Sequence, residues 1–240
     1  QALKRTLQSP WGMAFLPAKR LLIAAQSGIL LIVSADGKTI QARLTNLPKV
    51  ASDGQGGLLD VALDPNFTKN KTIYWSYAEA GIGKENGLSG TAVARGKLQN
   101  NALQDIQVIY RQTPKVKGSG HFGSRLVFLA DQTLLVTLGE RQKFTPAQDI
   151  SQSLGKVIRI HSDGKIPVNN PKWKNAKALP EIYSLGHRNP QGAAINPLTG
   201  ELWISEHGPQ GGDEINRVLA GKNYGWPVVS YGCNYGQPES

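Results

Sequence analysis

The sequence predicts an all-β fold of short antiparallel strands, and three observations carry that prediction. Apolar runs of strand length alternate with turns rich in Gly, Pro, Asn and Asp. Almost nothing shows the sustained 3.6-residue periodicity of a long amphipathic helix. The pattern of runs also recurs, loosely, at intervals of roughly 50–65 residues, which suits propeller blades of about four strands. A β-sandwich with long loops would share the first two features. A propeller is favoured because the longest polar insertions follow corresponding strands and should gather at one mouth of a central channel.

In chain order, GMAFLP, RLLIAAQ and ILLIVSADGK predict three strands, punctuated at Ser27-Gly28 and Asp36-Gly37, with TIQARLTNL a fourth. LLDVALDPNF, TIYWSYAEA, TAVARGKL and IQVIYRQ repeat the unit, and SRLVFLADQ, TLLVTLGE and GKVIRIHSDGK begin another. GAAINPLTG, ELWISEHG and DEINRVL form the last. Ala147–Gly155 (AQDISQSLG) suits a helical turn or two. The expected organisation is a single propeller domain over residues 1–240, incomplete at its C-terminal end.

The composition sets limits. Hydrophobic residues make up 40% and charged residues 18% of the 240, which is ordinary for a globular protein and argues against general disorder. No apolar run reaches membrane-spanning length, and no charged-then-apolar leader is present. The chain begins at Gln1 and its one methionine is Met13, so its start is expected to be processed or cut from something longer. A single cysteine, Cys233, excludes an internal disulfide and a cysteine-based zinc cluster. The net charge of +10 invites a nucleic-acid reading. The lysines are scattered through loops such as FTKNKT, PKVKG and PKWKNAK, however, so a solvated basic surface is the expectation.

Candidate chemistry concentrates between Tyr183 and Pro227, where two short strands deliver polar residues to turns. Upstream, Gly118-Ser119-Gly120-His121-Phe122-Gly123 matches G-x-G-x-x-G, but a strand follows it where a dinucleotide fingerprint needs a helix. Its glycines suit a tight backbone that holds His121 out of a loop. A lone histidine is more often structural, yet imidazole at this place could act as a general base near neutral pH. In Asp53-Gly54-Gln55-Gly56-Gly57, Gln55 could donate to and accept from a planar polar ligand. None of the four histidines forms an i, i+4 helical pair of the zincin kind. Asp213-Glu214 and the carbonyls of Gly208-Pro209 suit a hard cation better, although Asp213-Glu214 reads equally as a turn into a strand. No serine sits in a G-x-S-x-G elbow, which disfavours a serine hydrolase.

With these pieces placed, the sequence resembles the soluble glucose/sorbosone dehydrogenase family, especially its aldose sugar dehydrogenase branch. The resemblance is carried by PWGMAFLP, DGQGGLLDVALDP, GHFGSRLVF, AQDISQSLGKVIRI, GHRNPQGAAINP, EHGPQGGDEIN and GKNYGWP. It implies a six-bladed β-propeller, of which this chain covers roughly four blades. The implied cofactors are pyrroloquinoline quinone (PQQ) and Ca2+. His121 matches the general base for the sugar's anomeric hydroxyl, the hydride passing to PQQ. Gln55, Arg188 and Asn189 match cofactor contacts, with Arg188 placed to stabilise charge on the quinone. The carbonyls of Gly208 and Pro209 match ligands of the calcium on PQQ. Glu214 and Tyr224, the latter through its backbone oxygen, match ligands of a second, structural calcium. His187 and His207 are expected not to be catalytic.

The implied partners are an aldose and an external electron acceptor, a quinone or small redox carrier. A monomer or dimer in the periplasm or outside the cell is implied too, with no nucleic acid and no membrane span. One departure stands out: Gly120 replaces the aspartate that precedes the histidine in the glucose-specific branch, so either the imidazole is oriented from elsewhere or the activity is reduced. The abrupt end suggests a fragment of a longer enzyme. The rival readings are a binding module with a vestigial site and, more weakly, a calcium-using lyase or lactonase.

Overall fold

The computed structural model describes residues 7–235. Contacts group the chain into two compact units divided between Arg111 and Gln112. The first holds β1 (Pro10–Phe15), β2 (Leu21–Ala25), β3 (Ile29–Val33) and β4 (Ile40–Leu44), paired in that order as one antiparallel sheet. A second sheet follows the same plan: β5 (Leu58–Leu63), β6 (Thr72–Ala80), β7 (Ser89–Gln99) and β8 (Ala102–Arg111). These are propeller blades by topology, each strand pairing with the next in sequence.

Burial explains why each run took its place. The middle strands β2 and β3, LLIAA and ILLIV, are almost wholly buried and read as near-continuous apolar runs. The outer strand β4, IQARL, alternates instead, with Gln41 and Arg43 exposed, Ile40 and Ala42 half-buried and Leu44 in the core. Between the two sheets of this unit, β5 packs on β1 and β2. Leu22, Leu30, Ile32, Leu58, Ile73 and Trp75 form one continuous core there. Truncating the fully buried Trp75 to alanine is expected to cost about 3–5 kcal/mol.

The second unit begins with β9 (Gly123–Phe128), β10 (Leu134–Leu138), β11 (Lys156–Ile160) and β12 (Ile182–Leu185), a third four-stranded sheet. A three-stranded sheet follows, made of β13 (Pro190–Ile195), β14 (Leu202–Glu206) and β15 (Glu214–Val218). Here β13 packs against β9 and β10, and Leu135, Val157, Leu202, Ile204 and Val218 share a core. The fold class is therefore all-β, as the runs predicted, with four blades.

One expectation needs correcting, and two elements were not foreseen. The helical turn expected over Ala147–Gly155 is a 3-10 turn at Thr145–Gln148, and Asp149 onward is bends and turns. Asp149 accepts from the backbone N–H and hydroxyl of Ser151, an arrangement that competes with helix. Buried Lys156 pulls this region onto β11, donating to the carbonyls of Pro146, Ala147 and Leu154. Burial pushes its pKa down to about 7, and the three acceptors make the cation tolerable. In addition, β12 forms from a short YSL-centred run that the turn-rich context concealed, and a one-turn helix, α1 (Phe67–Asn70), follows β5. No helix among the described residues is long and apolar enough to cross a membrane.

Candidate active site

Antiparallel pairing builds the site. In a β-hairpin the start of the first strand lies beside the end of the second, and the β9–β10 register pairs Gly123 with Leu138. His121, just before β9, therefore meets Glu140, just after β10. The imidazole Nδ1 lies 2.5 Å from Glu140 Oε1, and both side chains are buried. Glu140 Oε2 accepts from the backbone N–H groups of Lys143 and Phe144. A carboxylate taking two backbone donors is held as an acceptor, which assigns the proton of the His121 contact to Nδ1 and the basic lone pair to Nε2.

The loop carrying the histidine is pinned. His121 adopts φ +50°, in the left-handed region that few residues other than glycine occupy. A Cβ at Gly139 would stand 2.1 Å from the His121 carbonyl oxygen, so glycine is required where the two hairpin ends converge. Buried Arg141 donates Nε to Gly120 O at 2.8 Å and Nη2 to Gly118 O, with its Cζ 3.7 Å from the Phe122 ring centroid. Burial pushes its pKa down to about 10 against the opposing charge of Glu140, so it remains a cation at neutral pH. Glu140 and Arg141 did not stand out in the sequence, and Glu140 supplies the orientation that Gly120 cannot.

The next hairpin brings Arg188 and Asn189 to the same place. Glu140 N–H donates to Arg188 O at 2.9 Å, and Asn189 Oδ1 accepts from Gly123 N–H at 3.1 Å. Arg188 is held by its own N–H on Glu206 Oε2 and by Nη1 on His207 O. Burial lowers its pKa, partly opposed by Glu140, Tyr235, Asp213 and Glu206. Its Nε is shut off from solvent and has no hydrogen-bond partner. An orphaned guanidinium N–H suits a ligand bearing acceptor oxygens, so the residues fit a quinone.

His187 is enclosed by protein partners. It is fully buried, with Nδ1 3.0 Å from Glu206 Oε1, Nε2 2.8 Å from Ser184 Oγ, and its ring stacked on Tyr224 at 4.8 Å. His207 sits in the turn after β14 with Nε2 3.1 Å from Gln191 Oε1.

The candidate cation ligands divide. Gly208 and Pro209 are buried in a turn in which Gly208 N–H donates to Asp213 Oδ1 and Gly212 N–H donates to Pro209 O. The Pro209 carbonyl keeps a second lone pair for a cation. Glu214 Oε2 accepts from Asn216 Nδ2. The Tyr224 hydroxyl donates to Arg217 O and accepts from Leu219 N–H, so its side chain is spoken for and a backbone role is what remains. Among the described residues no three His, Cys, Asp or Glu side chains cluster as a metal site. A donor set rich in carbonyl oxygen fits calcium rather than zinc.

Gln55 lies in the first unit, exposed in a tight turn closed by Gly56 N–H on Asp53 O. Gln26 Nε2 staples this turn through Gly54 O and Gly56 O. A Cβ at Gly57, φ +116°, would meet Gln26 O at 2.2 Å.

Propeller blades here carry a buried imidazole–carboxylate pair, with an orphaned guanidinium donor on the adjoining hairpin. The chain belongs to the glucose/sorbosone dehydrogenase family, whose model matches residues 7–240. It is 44% identical over 238 residues to aldose sugar dehydrogenase YliI of Escherichia coli, covering 98% of this chain and 63% of that protein. Quinoprotein glucose dehydrogenase B of Acinetobacter calcoaceticus is 31% identical, covering 93% of this chain and 51% of that protein. The crystal structure of the soluble E. coli aldose sugar dehydrogenase in its apo form superposes with a TM-score of 0.94 at 43% identity, covering 100% of this chain and 69% of that one. The PQQ-bound aldose sugar dehydrogenase of Streptomyces coelicolor gives 0.83 at 30%, covering 95% and 65%. The chain thus spans between half and two thirds of the length of these sequence relatives.

Proposed function

We propose that the protein is a quinoprotein sugar dehydrogenase, oxidising the C1 hydroxyl of an aldose to the lactone. The carrying observation is the His121–Glu140 pair. Glu140 fixes the imidazole tautomer, so that Nε2 takes the proton of the anomeric hydroxyl, and the carboxylate steadies the imidazolium that results. Arg188 offers its unmet Nε–H to oxygen that gains negative charge, and burial strengthens that interaction. Asn189, through Gly123 N–H, keeps the histidine loop against the arginine strand.

When bound on calcium, PQQ supplies the two-electron acceptor for the anomeric hydride. Arg188 and Asn189 would contact it. Gly208 and Pro209 carbonyls would hold its calcium, and Glu214 with Tyr224 a second ion. The electrons then leave to an external quinone or small redox carrier, in a periplasmic or secreted setting.

A second reading is a propeller module that binds without turnover. Adding PQQ and calcium and following quinone reduction by glucose separates the two. The dehydrogenase reading expects glucose-dependent reduction; a flat trace with PQQ unbound supports the binding module.

A further inference from the structure

Arg188 Nε is not the sole orphan in its neighbourhood. Trp226 Nε1 is likewise shut off from solvent and without a hydrogen-bond partner. The two side chains are adjacent, with Arg188 Cζ 5.2 Å from the centroid of the Trp226 ring. An unmet buried N–H costs about 1–3 kcal/mol, so two such donors side by side ask for an explanation.

Neither donor is met by the groups that surround it. Trp226 is 6% exposed and its ring packs against Phe144, with centroids 5.5 Å apart. Its backbone is tied at both ends: its N–H donates to Gly186 O at 3.0 Å, and its carbonyl accepts from Gln148 Nε2 at 2.6 Å. Arg188, 9% exposed, is held by Glu206 and His207 O. Both side chains thus stand in one wall with their donors unspent.

We infer that Trp226 is a ligand-contacting residue, whose indole N–H acts with Arg188 Nε on the acceptor oxygens of a planar, oxygen-rich anion. This rests on the reading of Arg188 as a contact of PQQ and adds a residue to that contact. Admitting the oxygens needs a small turn of both side chains, because solvent reaches neither nitrogen. The cost of desolvating the donors is already met in the free chain, which is preorganisation for the ligand.

Titration with PQQ in the presence of calcium tests the inference, with bound PQQ measured by ultrafiltration. Trp226→Phe keeps an aromatic ring against Phe144 and Arg188 but removes the N–H. It should weaken PQQ binding about tenfold, and Arg188→Ala should weaken it further. A Trp226→Phe dissociation constant equal to wild type, with Arg188→Ala impaired, overturns the role of Trp226 and leaves that of Arg188 standing. Failure of the wild-type chain to bind PQQ, or an unimpaired Arg188→Ala, overturns the Arg188 reading and this inference together. Should Trp226→Phe fold poorly, the wild-type chain gives the answer through the 15N-indole resonance of Trp226. A downfield shift on adding PQQ is expected, and an unmoved resonance contradicts the inference.

Discussion

Two histidine–glutamate pairs lie in consecutive blades, His121–Glu140 and His187–Glu206, each separated by 19 residues. Each arises from one piece of geometry, a histidine before the first strand of a hairpin and a glutamate at the end of the second. The registers Gly123↔Leu138 and Pro190↔Glu206 bring the ends together in both cases. What differs is how each ring is held. His187 spends Nε2 on Ser184, stacks on Tyr224 and is 0% exposed, whereas His121 sits in a strained glycine-flanked loop and keeps 7%. The comparison teaches that a buried imidazole–carboxylate pair is a scaffold element by default. In the proposed function it becomes a base where a pinned loop holds the ring.

Deleting the structural pair's carboxylate should break this contrast most visibly. Glu206 accepts from His187, Arg188 N–H and Asn216, so Glu206→Ala orphans several buried donors. We expect a loss of about 3–5 kcal/mol, seen as a thermal midpoint lowered by on the order of 10 °C. Glu140→Gln addresses the other pair. Its amide can present a donor to Nδ1 and reverse the tautomer, so turnover should fall on the order of 100-fold while the fold persists; an unchanged kcat would remove Glu140 from the positioning of His121. Ser184→Ala leaves His187 Nε2 without its hydroxyl, and equilibrium denaturation should report about 1 kcal/mol, with turnover little affected.

The smallest effect is one of pH. Burial raises the pKa of Glu206, but the charge of His187 and the donors from His187, Arg188 and Asn216 outweigh it, leaving the carboxyl below its ordinary range. Its stabilisation is therefore complete above the unfolded glutamate value, about 4.3, and is lost as pH falls through the lower folded value. Midpoints measured across that acid window should decline less steeply in Glu206→Gln than in wild type.

Most of the blade strands were legible in the sequence because their apolar runs match strand length and end at turn residues. LLIAA and ILLIV needed nothing more. The strand at Ile182–Leu185 was hidden because four residues carry too little pattern, and its place is set by pairing with Lys156–Ile158. The histidine loop could be singled out from its glycines. Glu140 could not, since its role depends on a hairpin register that brings residues 19 apart together. The repeated His-to-Glu interval was nonetheless visible, and it is the signal that would have found both carboxylates. Arg141 and Trp226 gave no local sign, as their meaning lies in which carbonyls and rings the fold sets beside them.

The central claim is that the first pair, and not the second, is the base. It is tested most directly by single-turnover reduction of bound PQQ by glucose in His121→Ala, with calcium present and PQQ occupancy measured in the same sample. The account predicts a rate lowered about 100- to 10,000-fold at undiminished PQQ occupancy. Wild-type reduction rates in that variant would contradict it.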